Sequence, residues 1–170
     1  MSDIKTEAAA IKPHVDTASV EQAFSILVTC VGTLLEAERP LSSAMYGDPA
    51  FDDWFRAAEA ARLAVLAAAD GVIHAPVASA TDLRFRAVAL NLEAMLLTTN
   101  PTKYARYFHF FRNEARLFYV PGRGVRVQRA NNLLRDFRQH LVALLDCEDY
   151  QPEALNAVEA LDAHVMCQAA

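Results

Sequence analysis

The stretch "TASVEQAFSILVTCVGTLLEAE", residues 17–38, decides the fold class of this protein. Five of its apolar residues recur at alternating steps of four and three: Val20, Phe24, Leu27, Val31 and Leu34. This spacing places all five on one face of an α-helix, as in a helix that packs against a core. We predict a helix over 17–38 that stops before Pro40, because proline disfavours helical backbone in the residue before it.

Five further segments carry helical signals. We predict helices over 49–74, 81–98, 101–119 and 130–145, and a sixth from Pro152 that turns Ala154, Val158, Leu161 and Val165 inward. Asp48-Pro49 and Asn100-Pro101 supply N-caps followed by proline at the first helical position. The third helix is apolar around most of its circumference and is predicted to be the central one. The fold class is therefore an all-α, single-domain bundle of about six helices over residues 16–170, preceded by a flexible arm over 1–15.

The segment 117–128 is the one place where strands could occur. Its sequence, "LFYVPGRGVRVQ", has two β-prone runs on either side of a Pro-Gly-Arg-Gly turn, which suits either a small hairpin or a loop. We favour the loop, because an isolated two-stranded hairpin is only marginally stable.

Charge is unevenly distributed along the chain, whose formal net charge is -5. Residues 1–100 carry 7 basic and 13 acidic side chains, residues 101–138 carry 9 and 2, and residues 139–170 carry 6 acidic side chains and no Lys or Arg. The basic segment, residues 103–138, has two open interpretations. Its arginines either pair with the acidic residues of the chain's end or a partner, or bind phosphate groups of a nucleic acid.

Seven aromatic residues lie among the basic ones in residues 103–129. At helical spacing Tyr104, Phe108, Phe111 and Phe118 fall on one face, which predicts core contacts, whereas Arg106, His109, Arg112 and Arg116 fall on the other. Phe110 and Leu117 lie outside the apolar band and are candidate exposed contacts. The candidate partner or phosphate contacts are Arg106, His109, Arg112, Arg116, Arg123, Arg126 and Arg129.

Catalytic, cofactor and metal signatures are weak in this sequence. The spacing His164-x-x-Cys167 supplies two ligand types, and His140 and Cys147 would have to converge on them to complete a zinc site. Asp136 and His140 stand four residues apart without an identifiable nucleophile. Three cysteines without C-x-x-C spacing suit a reducing compartment. We predict no cofactor, no metal site and no catalytic residue.

The N-terminal residues lack the pattern of a signal peptide, and the apolar stretch 23–35 is shorter than the roughly 20 residues of a membrane span. A cytoplasmic location without a membrane is therefore expected. The alanine-rich helix that starts at Trp54 and runs into "HAPVASATDLRFRAVAL", residues 74–90, resembles small bacterial helical proteins that carry no assigned activity. That resemblance implies no functional residue.

These observations favour a non-catalytic helical interaction module that binds protein, most simply a second copy as a homodimer. The first alternative is a nucleic-acid-associated regulator that uses the basic segment. The second is a small-molecule sensor whose pocket lies between the third and fourth helices.

Overall fold

The fold is all-helical, as the sequence predicts. A computed structural model describes residues 19–43 and 49–152, of which 83% are helical and none lies in a strand. Its α-helices are α1 (Val20–Ser43), α2 (Phe51–His74), α3 (Ala80–Leu97), α4 (Pro101–Asn113) and α5 (Val125–Leu145), with 3₁₀ turns at Ala115–Phe118 and Glu148–Tyr150. There are thus five α-helices in the described part, not six. The expected sixth helix, its inward residues and the arm over 1–15 lie outside the described residues.

Helix α1 is the central element of the bundle. The five stripe residues of the sequence pattern, Val20 to Leu34, are all buried, and α1 packs most extensively against α2 and then against α5. The expectation that the third helix is central is wrong. In α3 one apolar side is buried, formed by Phe85, Val88, Leu92 and Met95. The leucines of its second apolar side, Leu83, Leu90 and Leu97, are exposed. Apolar composition on both sides of a helix therefore did not mean burial on both sides.

Helix α1 does not stop before Pro40 but continues to Ser43. Proline lacks a backbone N–H donor and crowds the preceding turn of a helix. Pro40 lies only three residues before the end of α1, so this disturbance affects the last turns of the helix and not its interior. With this extension, α1 is long and apolar enough to cross a membrane by length and composition, which corrects the estimate from residues 23–35. A buried core helix or a signal sequence meets the same test, and 39% of the apolar stretch is buried within the bundle.

The starts of the next helices follow their capping residues. The Ser79 hydroxyl accepts a hydrogen bond from the backbone N–H of Asp82, and the Asn100 side chain accepts one from Lys103, as expected for N-caps. Helix α2 starts two residues later than predicted, after Ala50, which makes no side-chain capping bond; Asp48 lies outside the described residues. Gly71 does not end α2 early, since the helix continues to His74 as predicted.

The connection between α4 and α5 is a loop, not a hairpin, in the described structure. Helix α4 ends at Asn113, six residues before the predicted end, and α5 begins at Val125, five residues before its predicted start. The Asn131 side chain accepts a hydrogen bond of 2.7 Å from the Val120 N–H and donates one of 3.0 Å to the Val120 carbonyl. An amide side chain thus takes the place of the neighbouring strand that Val120 would have had in a hairpin.

Close approach of α1 and α5 depends on Gly32, and this yields a test of the packing. A Cβ added at Gly32 would lie 3.1 Å from two atoms of the His140 ring, whereas one added at Gly71 would meet nothing within 4 Å. Alanine normally stabilises an exposed helix interior by about 0.5–1 kcal/mol relative to glycine. We expect Gly71→Ala to raise the free energy of unfolding by about that amount in urea titrations. Gly32→Ala should give no gain or a loss of about 1 kcal/mol, and equal gains in both variants would contradict the packing.

Candidate functional site

The basic and aromatic residues of α4 occupy separate faces, as predicted. Tyr104, Phe108 and Phe111 are buried, whereas Arg106, His109 and Arg112 are exposed. The interleaving seen in the sequence is therefore two faces of one helix. A stacking surface for bases needs aromatic rings exposed beside the cations, and these three rings do not provide one.

The two candidate exposed contacts, Phe110 and Leu117, are not exposed in this structure. Leu117 is buried and Phe110 is half-buried against the core. The helical projection misplaced Leu117 because α4 ends at Asn113 and the chain enters a 3₁₀ turn, which rotates the following side chains by a different angle per residue. Tyr119, at 55% exposure, is the exposed aromatic residue of this region instead.

Two of the candidate arginines form ion pairs within the described residues. Arg112 Nη1 lies 2.6 Å from Asp146 Oδ1, and its guanidinium also stands over the Phe108 ring at 5.3 Å. Arg129 lies 3.1 Å from Glu21 of α1. The pair between Arg112 and Asp146 joins the basic segment to the acidic residues after 138, as the first interpretation expects. The pair between Arg129 and Glu21 joins the basic segment to α1, which that interpretation did not include.

The remaining candidates, Arg106, Arg116, Arg123 and Arg126, are exposed and have no ion-pair partner among residues 19–43 and 49–152. Two of them flank the start of α5, where Gly122 and Gly124 adopt φ of 128° and 120°. Such positive φ values are readily adopted by glycine but strain other residues. The first turn of α5 has no acidic residue and no side-chain cap, so its positive helix end is surrounded by positive side chains.

Clefts occur on both sides of α5. One of about 380 Å³ lies against its first turns and is lined by Gly122, Arg123, Gly124, Val127, Gln128, Asn131, Asn132 and Arg135. Another, of about 320 Å³, lies between α1 and α5 and contains Asp136 and the Glu21–Arg129 pair. The sensor hypothesis places its pocket between the third and fourth helices, and these two clefts lie elsewhere, along α5. No hydrogen bond or ion pair joins Asp136 to His140 in the described structure, where His140 Nδ1 lies 3.4 Å from the Val28 carbonyl oxygen.

Metal binding gains no support from the described part of the chain, which holds no group of three or more His, Cys, Asp or Glu side chains able to share an ion. His164 and Cys167 lie outside it. Cys30 and Cys147 are both half-buried, and burial raises the pKa of the Cys30 thiol.

The largest feature that the sequence analysis missed is a buried polar cluster where α1, α4 and the turn at Glu148–Tyr150 meet. Glu38 is buried with 7% exposure, and its carboxylate accepts a hydrogen bond of 2.9 Å from the Tyr150 hydroxyl. The Tyr104 hydroxyl donates to the Tyr150 carbonyl at 2.8 Å. One further step of four from Leu34 along the α1 stripe reaches Glu38. Helical spacing alone could therefore have predicted that Glu38 faces the core. A charged residue at a core position needs a buried partner.

Burial raises the pKa of the Tyr104 hydroxyl to about 12, against the opposing charge of Arg62. Burial, and then the negative charge of Glu38, raise the pKa of Tyr150 well above the usual value. Both tyrosines are therefore kept neutral by the fold.

A pH dependence follows from these shifts. A tyrosine whose pKa is raised on folding contributes stability that is complete below about pH 10, its pKa in the unfolded chain. This contribution is lost as the pH rises, for Tyr104 between about pH 10 and 12. We expect the free energy of unfolding, measured by urea titration, to fall over this range. Tyr104→Phe should be less stable near neutral pH but should decline less steeply, and an equally steep decline would argue against the role of Tyr104.

Large apolar side chains of α2 and α3 are exposed to solvent. We call them together the outer face, defined by five side chains with 45% to 64% exposure: Phe55 and Leu63 of α2, and Leu83, Leu90 and Leu97 of α3. Two hydrogen bonds join the helices beneath it, from Arg62 to the Leu96 carbonyl and from Arg86 to the Ala75 carbonyl. The three leucines of α3 recur every seven residues, so they line one side of the helix.

Comparisons with models of protein families, with curated proteins and with solved structures found no match to this chain. A function is therefore inferred from two surface features of the structure: the exposed apolar residues of the outer face and the arginines of the basic segment.

Proposed function

We propose that this protein is a non-catalytic helical interaction module of the cytoplasm that self-associates through the outer face of α2 and α3. The observation that carries the proposal is the row of exposed leucines at 83, 90 and 97. Scattered apolar residues are common on protein surfaces, but a continuous apolar row on one helix is typical of an interface. Full burial of an exposed leucine gains roughly 1.5–3 kcal/mol. These three are 45% to 61% exposed, so each would gain about half of that value.

The proposal predicts that the mass of the protein in solution depends on these leucines. We expect light scattering coupled to size-exclusion chromatography to show an oligomer, and the triple variant Leu83→Gln, Leu90→Gln and Leu97→Gln to be monomeric. The side chains replaced are exposed, so the helical circular dichroism should be retained.

Ile26→Gln is the matched control for this experiment. Ile26 has 57% exposure but lies on α1, outside the outer face, so its replacement should leave the mass unchanged. A monomeric unaltered protein, or a triple variant with the same mass as the unaltered protein, would contradict self-association through this face.

Nucleic-acid binding is the second candidate, and the unpaired arginines favour it. Arg123 and Arg126 flank the start of α5, which has no side-chain cap, and Arg116 lies in the preceding 3₁₀ turn; none of the three has an ion pair in the described structure. Arginine suits bidentate contact with phosphate, and the positive helix end adds to the attraction for an anion.

This candidate predicts a complex with duplex DNA or RNA whose affinity falls with salt, at roughly one unit of log–log slope per phosphate contact. Replacing Arg116, Arg123 and Arg126 by alanine should flatten that slope, whereas Arg56→Ala on α2 should not. A raised ratio of absorbance at 260 nm to that at 280 nm in protein purified at low salt, removed by high salt, would give the first sign. The absence of any salt-sensitive complex would exclude this candidate.

A further inference from the structure

We infer that the occupant of the outer face is a second copy of this chain, with the two α3 helices packed antiparallel across a two-fold axis. This inference rests on the proposed function and names its partner and register. It follows from a repeating pattern in the sequence of α3, whose residues lie on the exposed side of the helix in the structure. The positions concerned, which we call the α3 seam, are Ala80, Leu83, Ala87, Leu90, Ala94 and Leu97.

The α3 seam has the spacing of a coiled coil. Its residues recur at steps of three, four, three, four and three, so alanine occupies one core position of each heptad and leucine the other. None of the six is buried in the chain itself: Ala80 and the three leucines are exposed, and Ala87 and Ala94 are half-buried. The core of the bundle contacts the opposite side of α3, through Phe85, Leu92 and their neighbours.

The order of residues in the seam selects the antiparallel arrangement. If two copies of α3 run in opposite directions about a point midway between Val88 and Ala89, each leucine of one copy lies opposite an alanine of the other. The layers are Ala80 with Leu97, Leu83 with Ala94 and Ala87 with Leu90, each occurring twice by symmetry. Alternation of large and small residues across facing positions gives interdigitated packing. A parallel pair would set leucine against leucine and alanine against alanine.

Charges beside the seam agree with this arrangement. Arg86 and Glu93 occupy the same flanking position of successive heptads, and in antiparallel pairs equivalent flanks face each other. The two-fold axis therefore brings Glu93 of each copy near Arg86 of the other. Glu93 is half-buried and has no ion-pair partner among the described residues. Arg86 already donates to the Ala75 carbonyl, while its Nε is buried without a hydrogen-bond partner in the described chain.

The size of the outer face is close to what a dimer needs. Helix α3 has 18 residues, which corresponds to a length of about 27 Å. A face two helices wide measures roughly 20 Å across, which gives a flat area on the order of 500 Å². The corrugated accessible surface is larger, and a stable interface buries about 800 Å² per partner. Both helices of the outer face are therefore needed to reach this area, and α2 contributes the exposed Phe55 and Leu63.

Disulfide trapping tests the register directly. In a background with Cys30, Cys147 and Cys167 replaced by serine, we would prepare Leu83→Cys and Ala94→Cys as separate proteins and oxidise them mildly. The antiparallel pair brings 83 of one copy against 94 of the other but keeps the two copies of each position about 16 Å apart along the helix. We expect a covalent dimer when the two proteins are mixed, and little dimer from either alone or from Ile26→Cys.

A charge reversal gives an independent readout. Glu93→Lys should weaken the dimer roughly tenfold in dissociation constant, because two attractive pairs become repulsive. Glu114→Lys, at an exposed position after α4, should have no such effect. Covalent dimers from each single-cysteine protein alone would establish parallel packing and overturn the inference. So would an oligomer that depends on the three leucines but gives no 83–94 disulfide. An oligomeric mass independent of the leucines would instead overturn the proposed function.

Discussion

Phe137→Ala is expected to lower the free energy of unfolding by about 3–5 kcal/mol, the usual cost of removing a buried aromatic side chain. Phe137 is fully buried and joins two parts of the core. Its ring lies 5.4 Å from that of Phe24 on α1 and 6.2 Å from that of Phe118 in the 3₁₀ turn. The alanine variant would leave a cavity that the neighbouring rings cannot fill without moving. Urea titration followed by circular dichroism measures the loss.

Phe137→Leu is the matched variant, because leucine fills most of the same space. It should cost less than about 1.5 kcal/mol. Hydrogen exchange adds a local readout: Phe118 contacts Phe137, so the Phe137→Ala protein should lose amide protection in the turn at Ala115–Phe118. If alanine and leucine cost the same, or if the total loss stays below about 1 kcal/mol, the Phe137 ring does not join α1 and the 3₁₀ turn into one core.

Much of this core could be predicted from the sequence because helical periodicity is a local property. The stripe of α1 and the buried face of α4 were both placed correctly by spacing. The cap at Asn100 located the start of α4, and the start predicted for the third helix at 81 lies one residue from Ala80. In each case the deciding signal lies within a few residues of the element that it predicts.

The errors arose where a distant part of the chain decides the outcome. Periodicity shows that α3 has two apolar sides but not which one meets the core, because that depends on where α1 and α2 pack. After α4 ends, the 3₁₀ turn packs Phe118 against Phe137, nineteen residues farther along the chain, and no local pattern predicts that contact. The alternation of alanine and leucine in the α3 seam is visible in the sequence. It indicates an interface only because the structure shows that this side of α3 is exposed.

The buried cluster of Glu38 is the clearest example of such a distant partner. Glu38 and Tyr150 are separated by 112 residues, and a hydrogen bond joins their side chains in the core. A buried carboxylate is costly unless it is hydrogen-bonded, and the Tyr150 hydroxyl provides such a bond at 2.9 Å. The same tyrosine accepts through its carbonyl from Tyr104. This arrangement holds the turn at Glu148–Tyr150 against the ends of α1 and α4.

Tyr150→Ala should therefore cost about 3–5 kcal/mol in the free energy of unfolding, since it removes both a buried ring and the donor to Glu38. Tyr150→Phe separates the two contributions: it keeps the ring and should cost about 1.5–3 kcal/mol, the range for a hydrogen bond to a charged group. Urea titrations near neutral pH measure both values, well below the pH at which the tyrosines ionise. A Tyr150→Phe variant as stable as the unaltered protein would show that the carboxylate gains nothing from this hydroxyl.

A double-mutant cycle assigns the effect to the contact itself. Glu38→Gln keeps an acceptor at the same position but removes its charge, and charge-assisted hydrogen bonds are roughly twice as strong as neutral ones. Tyr150→Phe should therefore cost less in the Glu38→Gln background than in the unaltered protein, with a coupling of about 1 kcal/mol or more. Tyr104→Phe serves as the comparison, because its hydroxyl bonds the Tyr150 carbonyl and not the carboxylate. Its cost should depend less on residue 38, and strictly additive losses for Tyr150 and Glu38 would mean that the charge of Glu38 does not strengthen this hydrogen bond.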